Sequence, residues 1–216
     1  MSLRLQMSTL AKGAKDASVV LSSLPTNRKN KILKDMAKAL RIQSGALLKA
    51  NAKDVKHARA HGMSTGMLDR LVLTEQRIAH MADAIEDVAK LKDPIGAVLK
   101  EWKRPNGLKL YKVAVPLGVV LVIYEARPNV TAECVSLCFK SGNSIILKGG
   151  SEAFFSNQMI AAIFKTVLRK HAIPAGAVSF VATTDHKAVD ELVKLQEFIS
   201  VVIPRGGEGL IRAVVE

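Results

Sequence analysis

The sequence is poor in aromatic residues and in cysteine. Its 216 residues include one tryptophan, two tyrosines, six phenylalanines and two cysteines. Because aromatic side chains provide the platforms on which unpaired bases stack, their scarcity argues against single-stranded nucleic acid as a ligand. Two cysteines without a secretory signal indicate a reducing, cytoplasmic setting rather than a disulfide framework.

Long apolar segments are also absent. The longest apolar run extends from Val113 to Tyr124 and is interrupted by Pro116 and Gly118. A transmembrane helix needs about 20 consecutive apolar residues, so we expect no membrane partner. The composition, with 49% hydrophobic and 24% charged residues, is that of a globular protein.

Negative charge is scarce in the first half of the chain. The net charge is +13, and the residues up to Leu110 contain 21 Lys and Arg against 10 Asp and Glu. Such an excess can indicate nucleic-acid binding. The basic residues are interspersed with acids, however, as on solvated helix faces, so we expect no nucleic-acid partner. A basic surface also attracts small anionic molecules.

Helices are predicted for most of the first 92 residues. Pro25 ends the first helix, Thr26 or Asn27 can cap the second, and Thr74 can cap the last. Apolar residues in the second helix recur at four-residue spacing, which is typical of the buried face of an amphipathic helix. The predicted helices cover residues 8–23, about 26–43, 46–60 and 74–92.

The second half of the chain has an α/β pattern. Residues 97–117 are predicted to form a hairpin arm, with a turn at Pro105-Asn106-Gly107. Strands and helices then alternate with short connections, which predicts a Rossmann-like parallel sheet with helices on both faces. The predicted strands are 119–124, 144–147, 178–182 and 199–203, and the helices are 130–140, 152–170, 186–196 and one that opens near Gly207.

Four loops should meet at one edge of this sheet, because ligands of parallel sheets bind beyond the carboxyl ends of the strands. The usual G-x-G-x-x-G dinucleotide motif follows none of the strands. Two loops instead place a cation and two glycines where a strand meets a helix, which favours a ligand that carries phosphate. The four loops are 124–129, 148–151, 183–185 and 204–207.

Charged residues emerge directly from the buried strand 119–124, in the loop Glu125-Ala126-Arg127-Pro128-Asn129. The Asn129 amide could donate to an oxyanion. Equally, Glu125 and Arg127 could pair locally while Asn129 bonds to the backbone, and the residues themselves leave both readings open.

Cys134 and Cys138 share one face of the following helix, where we expect small buried hydrophobic residues rather than metal ligands.

Several longer segments resemble a known family. "VPLGVVLVIYEARPNVTAECVSLCFKSGNSIILKGGSEAFFSN" closely resembles the γ-glutamyl phosphate reductases, also called glutamate-5-semialdehyde dehydrogenases, of the aldehyde dehydrogenase superfamily. "LDRLVLTEQRI" and "VIPRGGEGLIR" resemble that family too, and the resemblance runs from about Met7 to Glu216. It implies an oxidoreductase of proline biosynthesis that uses NADPH to reduce L-glutamyl 5-phosphate to L-glutamate 5-semialdehyde.

The resemblance also implies roles for individual residues. Asn129 would stabilise the oxyanion, and Lys148 would contact the adenosine ribose or its 2′-phosphate. Residues 123–128 would lie along the dinucleotide, 149–151 on its adenosine side and 204–207 near its pyrophosphate. The implied cofactor-binding residues are Ile123, Tyr124, Glu125, Ala126, Arg127, Pro128, Lys148, Gly149, Gly150, Ser151, Pro204, Arg205, Gly206 and Gly207.

The family's nucleophilic cysteine lies in a catalytic domain, and neither Cys134 nor Cys138 matches it. We therefore expect residues 1–216 to form the NADP-binding domain, with helices over 8–92 and the 97–117 arm, and to be inactive alone. The resemblance further implies homo-oligomers joined through the arm and a functional association with glutamate 5-kinase. A stand-alone nucleotide-binding or regulatory module without catalysis is the alternative.

Overall fold

The computed structural model describes residues 2–215, and side chains through residue 212. None of the helices in this part of the chain is long and apolar enough to cross a membrane. The helices are α1 (Leu3–Ser22), α2 (Thr26–Ile42), α3 (Ser44–Ala60), α4 (Thr65–Leu71), α5 (Glu75–Lys90), α6 (Pro128–Lys140), α7 (Phe154–Lys170), α8 (Lys187–Val193) and α9 (Glu208–Val215). The strands are β1 (Val98–Lys103), β2 (Lys109–Val113), β3 (Val119–Tyr124), β4 (Ser144–Gly149), β5 (Val178–Phe180) and β6 (Val201–Arg205).

A parallel four-stranded sheet forms the centre of the molecule, in the order β5-β4-β3-β6. Val122 of β3 lies opposite Leu147 of β4 on one side and Ile203 of β6 on the other. Every residue of β3 and β4 is buried, as expected for strands covered on both faces. The predicted Rossmann-like α/β fold is confirmed.

The two faces of the sheet belong to different apolar clusters. Val120 and Val122 point into a large cluster with α2, α5, α6 and α7, whereas Val119 and Leu121 point into a smaller one with α1 and α8. This division follows from the alternation of side chains along a strand. The helices before residue 93 therefore share their cores with the sheet.

Helix ends account for several differences from the sequence-based prediction. Thr74 caps α5 as predicted, since its hydroxyl accepts a hydrogen bond from the Arg77 N–H at 3.1 Å. The N-cap position of α2 is Pro25, so the prediction of Thr26 or Asn27 there is wrong. The Thr26 hydroxyl instead donates to Asp93 at 2.8 Å, which ties the start of α2 to the segment after α5.

Other boundaries also differ. Helix α1 begins at Leu3 rather than at residue 8, and β6 extends to Arg205. Strand β5 ends at Phe180, two residues before the predicted end. Helix α4 was not predicted, because seven residues are too few to show a helical repeat in the sequence.

The predicted hairpin arm is present as the antiparallel pair of β1 and β2, with Trp102 opposite Leu110. Its turn requires a glycine, since Gly107 has a φ of +89°. Except for Leu110, all residues of both strands are exposed. The arm therefore stands away from the core.

Candidate functional site

Three neighbouring pockets open where β3, β4 and β6 end. The β4 pocket contains Lys148 and has a volume of about 370 Å³. The β6 pocket contains Arg205 and has a volume of about 480 Å³. The helical pocket contains Arg77 and has a volume of about 360 Å³. Glu125 lines the first two and Arg127 the last two. The loops 124–129, 148–151 and 204–207 thus converge as predicted.

The fourth loop contributes differently. Residues 183–185 line none of these pockets, but the next residue, His186, lines the β4 pocket. Asp185 instead accepts a hydrogen bond from the Lys187 N–H at 2.9 Å and so stabilises the start of α8. Residues 183–185 therefore lie beside the β4 pocket rather than in its lining, and the Asp185 carboxylate is close enough to Lys148 to affect its pKa.

Lys148 is the cation of the β4 pocket. It lies within β4 opposite Ile123, not in the loop that follows, because the strand extends two residues beyond its predicted end. The residue is 4% exposed, and among the described residues its ammonium donates only to the Gly149 carbonyl, at 3.3 Å. Burial lowers the pKa of Lys148, and the nearby carboxylates of Glu152 and Asp185 partly oppose that shift.

The glycines of this pocket are required for packing. A Cβ atom at Gly149 would lie 2.4 Å from the Asn157 Nδ2 atom, and one at Gly150 would lie 2.2 Å from a carboxylate oxygen of Glu152. The Gly150 N–H donates to the Tyr124 carbonyl at 2.8 Å. That N–H is therefore not available to a phosphate, contrary to the prediction of free N–H groups in this loop.

Glu152 was missed as a site residue. It lies four residues after Lys148 in the short 3₁₀ turn that precedes α7, and its Oε2 atom is buried without a hydrogen-bond partner in the part of the chain that the structure describes. A buried carboxylate oxygen that lacks a donor suits a ligand hydroxyl. An acidic residue in the first turn of a predicted helix was the signal present in the sequence.

In the β6 pocket, Glu125 occupies the start of α9. Both of its carboxylate oxygens accept from the Gly207 N–H, at 3.2 Å each. A Cβ atom at Gly206 would approach this carboxyl group to 2.6 Å, so the glycine leaves room for it. Local pairing of Glu125 with Arg127 is therefore excluded, and the carboxylate takes the place that an anionic ligand would prefer.

Glu133, which the sequence analysis also missed, connects two predicted site residues. One carboxylate oxygen accepts from the Asn129 amide at 2.7 Å, and the other lies 3.4 Å from the Arg205 guanidinium. Helix α6 begins at Pro128, two residues before its predicted start, so Asn129 and Glu133 lie one turn apart on the same face. The amide predicted to meet an oxyanion is thus held in place by a carboxylate.

Neither cysteine has the properties of a nucleophile. Both pack partly buried against the larger apolar cluster, as predicted. Burial raises the pKa of Cys134, and it raises the pKa of Cys138 to about 12. Thiols with such pKa values stay protonated near neutral pH.

Within residues 2–215, no group of three or more His, Cys, Asp or Glu side chains could hold a metal ion.

Comparison with known proteins is consistent with this arrangement. Residues 4–213 match the model of the aldehyde dehydrogenase family. The chain belongs to the aldehyde dehydrogenase family. The fold is therefore that of this family, and the resemblance noted in the sequence is confirmed.

The similar curated proteins are reductases. The chain is 49% identical over its whole length to the γ-glutamyl phosphate reductase of Citrifermentans bemidjiense and covers 52% of that protein. It is 45% identical to the enzyme of the same name from Moorella thermoacetica, again over 52% of the longer chain. The chain thus spans about half the length of the curated relatives it matches.

Solved structures agree. The γ-glutamyl phosphate reductase of Thermotoga maritima superposes with a TM-score of 0.94 at 42% identity, over 97% of this chain and 50% of the other. The Saccharomyces cerevisiae enzyme gives a TM-score of 0.90 at 34% identity, over 99% of this chain and 54% of the other.

Proposed function

We propose that this chain is the cofactor-binding part of a γ-glutamyl phosphate reductase, in which NADPH reduces L-glutamyl 5-phosphate to L-glutamate 5-semialdehyde for proline biosynthesis. Similarity to reductases over the whole chain supports the reaction. The observation that carries the cofactor role is the β4 pocket, where a buried ammonium, a carboxylate oxygen without a donor and two glycines meet at the end of a parallel strand.

The residues of the β4 pocket fit the adenosine end of a dinucleotide. Glu152 offers its free carboxylate oxygen to a ribose hydroxyl, and Lys148 offers an ammonium that has one weak hydrogen bond. Ile123, Val189 and Leu210 provide an apolar side for a base. When bound, a nicotinamide cofactor supplies hydride, and the protein's part here is to hold and orient it.

The preference for NADPH rests on charge. The Lys148 ammonium favours a 2′-phosphate, whereas the Glu152 carboxylate opposes one, and both line the same pocket. The net charge of +13 adds to the attraction for the phosphate, and Glu152 Oε2 has no donor among the described residues, so it can accept from a ribose hydroxyl. We place Lys148 against the phosphate and Glu152 against the remaining hydroxyl.

On the substrate side, Asn129 is the proposed oxyanion donor. Its amide lines the helical pocket and is held by Glu133 at 2.7 Å. An amide fixed before the reaction needs little reorganisation to donate to an acyl oxygen. The chain alone should release no aldehyde, because its two cysteines have raised pKa values and the reaction requires a thiolate.

Calorimetric titration with NADPH and NADH tests the cofactor role. We expect saturable NADPH binding, tighter than NADH binding, and at least a tenfold loss in Lys148→Ala, since a charge-assisted contact contributes roughly 1.5–3 kcal/mol. Lys165→Ala is the matched control, because Lys165 also has a pKa lowered by burial but lines none of the three pockets. Equal losses in both variants would refute the assignment.

Assembly is also part of the proposal. The exposed hairpin arm is proposed to join subunits, because apolar side chains of both its strands face solvent. The functional association with glutamate 5-kinase remains a prediction.

A further inference from the structure

Two guanidinium groups near the proposed site have no partner. Among the described residues, the side chains of Arg70 and Arg127 make no hydrogen bond and no ion pair. Neighbouring arginines differ: Arg77 pairs with Asp69 at 2.8 Å, and Arg205 lies 3.4 Å from Glu133. Both Arg70 and Arg127 are exposed, so their guanidinium groups are accessible to a ligand.

Both arginines line the same space although they come from distant parts of the chain. Arg70 belongs to α4 and Arg127 precedes α6, yet both line the helical pocket and the β6 pocket. Neither lines the β4 pocket. They therefore face away from the proposed adenosine site and toward the side where Asn129 lies.

The acidic residues of the helical pocket do not neutralise them. The Asp69 carboxylate accepts a hydrogen bond from the Arg77 guanidinium, which also donates to the backbone carbonyl groups of Asp69 and Val72. Glu133 is shared between Asn129 and Arg205. The lining thus carries three guanidinium groups, those of Arg70, Arg77 and Arg127, against two carboxylates, and a bound anion would stabilise this excess of one positive charge.

We propose that Arg70 and Arg127 bind the α-carboxylate of the glutamyl substrate, in the helical pocket beside Asn129. The planar fork of a guanidinium matches a carboxylate in two parallel hydrogen bonds. Met81 and Ala84 line the same pocket and offer an apolar surface to the carbon chain that joins the carboxylate to the reacting acyl group. This assignment rests on the proposed function, and it gives Arg127 to the substrate rather than to the dinucleotide.

A phosphate group would present similar oxygen atoms to these arginines, so the test must separate the two anions. The arginine Nε–Hε and Asn129 amide signals of the ¹⁵N-labelled chain are followed by NMR during titration with L-glutamate, with inorganic phosphate at matched ionic strength, and with NADPH. Arg70→Gln, Arg127→Gln and Arg127→Lys are compared with the parent. Arg59→Gln is the control, since Arg59 is exposed on α3 and removes the same charge elsewhere.

We expect L-glutamate to shift the Arg70, Arg127 and Asn129 signals with saturation, and phosphate to do so far less. Each glutamine variant should weaken glutamate binding at least tenfold, Arg127→Lys should weaken it less, and Arg59→Gln should leave it unchanged. NADPH binding that persists in the variants shows that they are folded.

The proposal is overturned if the parent shows no saturable response to glutamate, if phosphate competes equally well, or if Arg59→Gln weakens binding as much as the pocket variants. If the parent chain binds L-glutamate but does not bind NADPH, the cofactor proposal is refuted and the proposed carboxylate site is not. The two proposals can therefore fail separately.

Discussion

At the scale of single residues, the glycines at the ends of β4 and β6 leave space for other side chains. Gly149 makes room for Asn157 and Tyr124, whose hydroxyl bonds to Thr131 at 2.7 Å. Thr131 in turn donates to Asn157 at 2.8 Å. The floor of the β4 pocket is thus a buried polar network in which a methyl group has no place.

Gly149→Ala should destabilise the fold by about 1–3 kcal/mol, because its Cβ would overlap Asn157 and press on the Tyr124 ring. The measurement is unfolding in urea. The comparison holds if the m-value, the slope of unfolding free energy against urea concentration, is the same in parent and variant. Gly45→Ala is the control, since a Cβ there meets nothing within 4 Å and the site is helical. It should be neutral or stabilising by up to about 1 kcal/mol. Equal unfolding free energies for the two variants would contradict the close contact described at Gly149.

At the scale of elements, an ion pair fastens α2 to the segment between α5 and the arm. The Lys29 ammonium lies 3.0 Å from the Asp93 carboxylate, with side chains 2% and 10% exposed. Burial alone would raise the pKa of Asp93, but hydrogen bonds from Ile95, Thr26 and Lys29 outweigh it and lower that pKa below its ordinary value. The pair therefore contributes stability while Asp93 is ionised.

Asp93→Asn should cost about 2–3 kcal/mol at neutral pH, because it leaves Lys29 buried without a counter-charge. Since the folded-state pKa of Asp93 is depressed, its contribution is complete above the ordinary value of 3.8 and is lost as pH falls below it. The gap in unfolding free energy between parent and variant should therefore narrow in acid. Asp16→Asn, at an exposed position of α1, should change little at any pH. A gap that does not depend on pH would contradict this account.

At the scale of the whole molecule, the arm is the part whose apolar side chains face solvent on both strands. Val98, Leu99, Tyr111 and Val113 are between 43% and 62% exposed. Lys100 and Lys112 lie directly opposite each other, which is unfavourable in an isolated hairpin. Exposed apolar side chains on both strands are expected of a surface that another subunit covers.

We expect the chain to self-associate and Tyr111→Asp to shift it toward monomer, because the charge would have to be buried in the contact. Sedimentation velocity over a concentration series measures this. The single tryptophan, Trp102 in β1, gives an independent readout through its fluorescence. Ile42→Asp is the control, since Ile42 is 71% exposed but lies on α2. A parent that stays monomeric at all concentrations would refute a contact through the arm.

The sequence by itself determined the order of elements and the edge of the sheet where a ligand should bind. Continuous apolar runs in β3 and β4, alternating helices and glycine-containing turns are local features, and local features can be recognised in the chain. Strand β3 was predicted to the residue, whereas α6 begins at Pro128, two residues before its predicted start. The resemblance supplied the reaction, which no local pattern contains.

The tertiary structure alone decided which side chains meet. Glu125 reaches Gly207 across 82 positions, Asn129 is held by Glu133, and Arg70 comes to the same pocket as Arg127 from a helix too short to be recognised. The first and last of these contacts join segments far apart in the chain, so neither periodicity nor spacing encodes them, whereas Asn129 and Glu133 lie one helical turn apart on α6. For the same reason the sequence showed Lys148 as a loop cation, whereas packing of α8 and the sheet buries it.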